Sequence, residues 1–314
     1  MDRRTFLGGI AAAGALGALQ VAQASPVAKI GSAAKKNRPS GKFDDNLVIF
    51  ISDLHCNPDG YQPGKLSKVA SDILALRPLP RNVIALGDLA FLTGRPAEYA
   101  AVKSALALLE EAGITLTLAM GNHDRRAEFG EAFPAQAAKS LFKDRYVYIV
   151  ETPNADFIVL DSLQESESNT TYITPGKLNE GQTGWLKNTL DSYTKPVFVC
   201  AHHTIEEIGL VRIISESPTC CGYIYGHRHR WLKDWTEVWS KGSRVVRTLC
   251  MPSTGHWGDI GFVALQLGPE SAVATLHVDD FFFPEPARNP ADRPAQWSVF
   301  PEELNGDTCT FALK

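Results

Sequence analysis

Seven short apolar runs, rich in β-branched residues, punctuate the chain between residues 47 and 227, and five of them stop at a side chain able to bind a metal. They read LVIFISD (47–53), NVIALGD (82–88), TLTLAMGN (115–122), YVYIV (146–150), FIVLDS (157–162), VFVCAHH (197–203) and CGYIYGH (221–227). Continuous runs of this kind suit strands buried on both faces. Helical patterns separate several of them. Residues 66–76 place Leu66, Val69 and Ile73 on one face ahead of Pro78, residues 97–112 carry Val102, Leu106 and Leu109 and end at Gly113, and residues 182–193 align Leu186 and Leu190. Strands alternating with helices, followed by a strand-rich second half, predict an α/β layered fold with mixed sheet.

Ligands of open α/β sheets bind beyond the carboxyl ends of the strands. Asp53, Asp88, Asn122, His202 and His227 all fall at such ends, and His55 and His229 follow two residues after a ligand-competent side chain. Residues two apart on an extended backbone share a face, so His227 and His229 point one way and Arg228 another. Two carboxylates, an amide oxygen and four imidazoles suit divalent or trivalent ions such as Mn, Fe or Zn, and disfavour metals that prefer thiolates. Seven donors exceed what one ion takes. They suit two ions that share a carboxylate. Singly, each motif has an ordinary reading, since an Asp-x-His pair is commonly a capped turn and Gly-Asp a turn dipeptide; joint occurrence at successive strand ends is what gives them weight.

The 314-residue chain is 44% hydrophobic and 21% charged, with net charge −4 and no Lys/Arg run longer than two residues. That balance disfavours an extended nucleic-acid-binding surface. Its beginning, DRRTFLGG followed by a mild apolar run and Ala22-Gln23-Ala24, resembles the twin-arginine export signal of bacteria. The expected organisation is a signal peptide over 1–24, a polar leader over 25–45, a catalytic domain over 46–280 and a tail over 281–314 that packs on it. A periplasmic or secreted protein follows, with the twin-arginine machinery as transient partner and no stable membrane span in the mature chain. Six cysteines without a C-x-x-C pair indicate neither a thiolate zinc site nor a redox motif, and leave open one disulfide through Cys56 or Cys309.

Taken in order, SDLH (52–55), GDL (87–89), GNHD (121–124), AHH (201–203) and GHRH (226–229) resemble the five motifs of the calcineurin-like metallophosphoesterase superfamily, over residues 47 to about 265. The resemblance implies a four-layer α-β-β-α fold, with two mixed β-sheets sandwiched between helices. It implies one ion on Asp53, His55, Asp88 and His229, a second on Asp88, Asn122, His202 and His227, and Asp88 as the bridge. The expected reaction is hydrolysis of phosphate mono- or diesters by a metal-bridging hydroxide, with His123 as proton donor and Asp124 orienting its imidazole. One departure is His202-His203-Thr204, where many members carry His-His-Pro; His202 is the expected ligand, and His203 is expected in an outer shell or facing substrate. Arg125, Arg228 and His256 are further expected substrate contacts, the polar loop 163–181 reads either as a lining of the cleft or as a solvated segment, and FFFPEP (281–286) reads as packing or an interaction edge of the tail. The alternative, a non-catalytic scaffold on the same fold, typically lacks some of these ligands, and all seven are present.

Overall fold

The computed structural model describes residues 43–233, 235–237, 245–255, 261–278 and 304–313. The signal segment, most of the leader, His256 and FFFPEP lie outside the described residues.

Alternation along the central strands assigns each side chain to one of two cores. In β1 (Phe43–Ile51), Leu47, Ile49 and Ile51 face one way while Val48 and Phe50 face the other; β2 (Leu79–Ala85) splits Val83 and Ala85 from Ile84 in the same manner. These strands and β3 (Thr115–Leu118) are parallel neighbours. In the second sheet, β6 (Val197–Cys200) separates Val197 and Val199 from Phe198 and Cys200, and β5 (Asp156–Val159) separates Ile158 from Phe157 and Val159. Strands apolar on both sides need cover on both sides. The molecule supplies it by stacking two sheets and placing helices outside each.

The remaining strands are β4 (Tyr148–Val150), β7 (Cys220–Tyr225), β8 (Trp235–Glu237), β9 (Val245–Cys250), β10 (Gly261–Leu267), β11 (Ser271–Val278) and β12 (Thr308–Ala312). One six-stranded sheet has the order β12-β11-β10-β1-β2-β3, the other β4-β5-β6-β7-β9-β8. Both are mixed: β1, β2 and β3 run parallel along one side of the first sheet and β5, β6, β7 and β9 form the parallel middle of the second, while β10 to β12, β4 and β8 add antiparallel pairings. The helices α1 (Gln62–Ala75) and α2 (Pro96–Glu111) cover the first sheet through Leu66, Ile73, Val102 and Leu109. The second is covered by α5 (Glu180–Ser192) and α6 (Val211–Glu216) through Leu186, Leu190 and Ile214. The expected four-layer α-β-β-α fold is therefore present.

Several boundaries differ from the sequence reading. Strand β1 begins at Phe43, inside the stretch read as leader, and within the stretch read as a packing tail the last residues form β12 with the buried Phe311. The short helices α3 (Arg126–Ala132) and α4 (Pro134–Ala137) were not legible, because one or two turns leave no periodicity to recognise. All six cysteines are free, so the disulfide through Cys56 or Cys309 does not form; every one but Cys221 is buried. No described helix is long and apolar enough to cross a membrane.

Phe198 anchors the seam between the sheets. Its ring stacks on Phe157 at 5.3 Å and meets the edge of Phe311 at 5.2 Å, with no exposed surface. Phe198→Ala should cost about 3–5 kcal/mol of stability, read as a lower urea midpoint at unchanged slope.

Candidate metal centre

The loops that leave the parallel strands converge at one end of the sandwich. Among the described residues, the non-glycine positions with positive φ are Asp53 (51°), His55 (39°), Asp88 (48°), His227 (70°) and His229 (53°). All five are expected ligands. The left-handed region costs an L-residue roughly 1–2 kcal/mol, and residues kept there against that cost mark functional sites. Two glycines make the packing feasible. A Cβ on Gly121 would collide with the backbone and carboxylate of Asp88, and one on Gly226 would collide with the Ser52 hydroxyl and the Asp53 carboxylate.

The ligand atoms of Asp53, His55, Asp88 and His229 lie within 4.8 Å of one another, and all four residues are buried. His55 Nε2 is 3.1 Å from His229 Nε2, and His229 Nε2 is 3.2 Å from Asp53 Oδ1. A second group gathers around His202 Nε2, which lies 3.2 Å from Asp88 Oδ2, from Asn122 Oδ1 and from His227 Nδ1. Asp88 Oδ2 joins the groups, since it is also 3.4 Å from His55 Nε2. The other carboxylate oxygen of Asp88 accepts the His123 backbone N–H at 2.8 Å, which fixes the orientation of the bridge.

Outer contacts settle which nitrogen His55 and His202 offer. His55 Nδ1–H donates to the Phe91 carbonyl at 3.2 Å and His202 Nδ1–H to the Leu86 carbonyl at 2.7 Å, so in the neutral ring Nε2 keeps the lone pair for the centre. Asp53 is held by the Ser52 hydroxyl at 2.6 Å and by the His227 N–H at 3.1 Å. Burial pushes the Asp53 carboxyl up, but His229 and His202 outweigh burial and hold it at about 2. For Asp88 burial is likewise outweighed, by His202 and His55, and its carboxyl lies well below the usual range. Burial drives His55 and His227 down to about 4, keeping their lone pairs available at neutral pH. His202 is the exception: burial disfavours its charge, yet Asp88, Asp53 and the Leu86 carbonyl raise it to about 9. An ion bound there must displace that proton. Two buried carboxylates faced by imidazole lone pairs are a donor set that fits a pair of cations.

Residues 47–231 match the calcineurin-like phosphoesterase family. The chain belongs to that family. A probable cyclic nucleotide phosphodiesterase from Psychrobacter arcticus is 25% identical over 186 residues, covering 54% of this chain and 62% of that protein, so the match spans less than two thirds of the relative. The fold is similar to a dimetal phosphatase from Danio rerio, at TM-score 0.58 and 16% identity over 75% of this chain and 96% of that one. It is also similar to a purple acid phosphatase from yellow lupin (Lupinus luteus) seeds, at TM-score 0.51 and 12% identity over 76% and 52% of the respective chains.

Within this calcineurin-like domain, several expected roles change. Asp124 does not touch the His123 ring. Its carboxylate accepts the backbone N–H groups of Leu89, Ala90 and Gly121 and the Tyr99 hydroxyl, tying the loop after β2 to the loop after β3; burial and then Asp88 push it up to about 7. His123 is oriented instead by the Leu92 carbonyl, 3.0 Å from its Nδ1. His203 lies within ligand reach of His202 and His227, but Nε2–H donates to the Thr174 carbonyl at 3.0 Å and Nδ1 accepts from the Ser162 hydroxyl at 2.8 Å. Both nitrogens of His203 are therefore engaged by neighbouring groups of the protein. Arg125 spends its guanidinium on the carbonyls of Ser166, Ser168 and Thr171. Arg228 lines the cavity of about 300 Å³ that opens over the centre, as do His123 and the unanticipated Phe91, Leu92 and Tyr172.

Asp88→Ala should abolish binding at both sites, whereas Asn122→Ala should retain about one ion per chain against about two in the wild type. Elemental analysis of the purified proteins checks this; two ions retained by Asp88→Ala would refute the shared carboxylate.

Proposed function

We propose that this chain is an exported, two-metal phosphodiesterase. The observation that carries the reading is the bridging Asp88 oxygen, with one donor group on either side of it. A pair of cations in such a site supplies an activated water and neutralises charge on the phosphate. The protein's own groups do the rest. Asn122 and the imidazoles hold the centre, and the Leu92 carbonyl fixes His123 through Nδ1, leaving Nε2 at the edge of the site, 3.9 Å from Asp88 Oδ2. In its protonated form His123 offers Nε2–H to the departing ester oxygen.

Charge supply favours a diester over a monoester. A monoester dianion asks for more cationic contacts than a diester does. Of the four arginines beside the motifs, Arg125 serves the loop carbonyls and Arg126 is paired with Asp161 at 2.8 Å and Glu165 at 2.7 Å, while Arg228, and not Arg230, lines the cavity. The probable phosphodiesterase activity of the Psychrobacter relative points the same way. With metal content measured, bis-nitrophenyl phosphate should be hydrolysed with at least about tenfold higher kcat/KM than nitrophenyl phosphate, roughly the worth of one lost charged contact. The reverse preference would sink the diester reading, and inactivity on both with the sites filled would favour the scaffold.

Export rests on Arg3 and Arg4 ahead of the apolar run. Replacing both with lysine should leave the precursor inside the cell, as read by fractionation of a bacterial host; unchanged export would remove the twin-arginine assignment.

A further inference from the structure

Among the described residues, five large hydrophobic side chains are exposed, and two of them, Leu92 (43%) and Tyr172 (41%), line the same cavity over the metal centre. Phe91 adds a third apolar surface beside them. Apolar groups left open at the mouth of a polar site mark a place where something apolar binds. The Tyr172 ring lies against His123, with centroids 4.0 Å apart and planes inclined by 37°, yet much of its surface stays open.

Tyr172 is held from both sides. Arg125 donates to the Thr171 carbonyl at 3.0 Å on the residue before it, and to Ser166 and Ser168 further back. Two residues after it, the Thr174 carbonyl accepts the Nε2–H of His203 at 3.0 Å. The loop also braces itself, with the Ser166 and Thr171 hydroxyls 2.8 Å apart. A ring whose backbone is pinned on either side can stack on a ligand with little further loss of entropy.

We propose that Tyr172, with Leu92 and Phe91, forms a subsite for a planar, apolar ester group, an aryl ring, and that Arg125 and His203 are the positioning residues that hold it. The proposal rests on the phosphoesterase reading, since the subsite is defined by its place beside His123, where the ester oxygen departs. It deepens that reading by selecting aromatic esters over alkyl ones.

Calorimetric titration of the metal-loaded protein with phenylphosphonate and methylphosphonate, neither of which can be hydrolysed, tests it. The wild type should bind the phenyl compound about five-fold tighter or more, the worth of one aromatic pair. Tyr172→Ala should bring the two affinities together while Tyr172→Phe preserves the preference. Arg125→Ala should likewise narrow the ratio without altering methylphosphonate affinity, an effect that a general loss of structure would not produce. Equal affinities in the wild type, or a Tyr172→Ala variant that weakens both compounds alike, would overturn the subsite. Binding of neither phosphonate would overturn it too, and diester hydrolysis, assayed separately, shows whether the reaction reading falls with it.

Discussion

Asp53 and Asp88 carry negative charge at the ends of neighbouring parallel strands, in places with almost no access to water. An unpaired carboxylate so placed would cost several kcal/mol, so the surroundings must supply positive charge or donors. Much of the local architecture answers that requirement. Four imidazoles and an amide crowd around the two anions, backbone N–H groups of His123 and His227 point at them, and five residues accept left-handed backbone to bring the atoms together. The same two carboxylates raise His202, so they favour positive charge on it.

The sandwich makes this gathering possible, because neither sheet owns the centre. Asp53, His55, Asp88 and Asn122 come from loops of the first sheet, while His202, His227 and His229 come from loops of the second. The two sheets meet through interdigitated side chains such as Phe50 and Phe157, and the hydrogen bond from His202 to the Leu86 carbonyl crosses from one to the other at the site itself. Register between the sheets therefore sets the spacing between the two donor groups. A core that packed loosely would leave the bridge without a defined partner on one side.

The layered fold was legible because strands apolar on both sides leave an unbroken pattern, and α1, α2 and α5 are long enough to show a face. The candidate ligands were legible because each sits at the end of such a run or two residues beyond it. Less visible was anything decided by tertiary contact. Nothing in His202-His203-Thr204 says that His203 has both nitrogens occupied, since Ser162 and Thr174 are distant in sequence. Arg125 and Asp124 sit within or beside a motif and invite catalytic roles, yet they brace loops. Tyr172 lies in a polar stretch with no periodicity, and only the meeting of that stretch with His123 gives it a place in the site. A tyrosine alone in a run of Ser, Asn and Thr was the available signal.

The grip of Arg125 has a bearing on how such a molecule can diversify. It holds the loop by main-chain carbonyls, which every amino acid possesses, and the anchor of His203 on Thr174 is of the same kind. Apart from the Ser166, Ser168, Thr170 and Thr171 hydroxyls that brace the loop, side chains between these anchors can therefore be exchanged without loosening it, and none of them contributes to the candidate ion-binding set. Recognition and reactivity are thus inherited on separate stretches of chain, so drift in one need not be compensated by drift in the other.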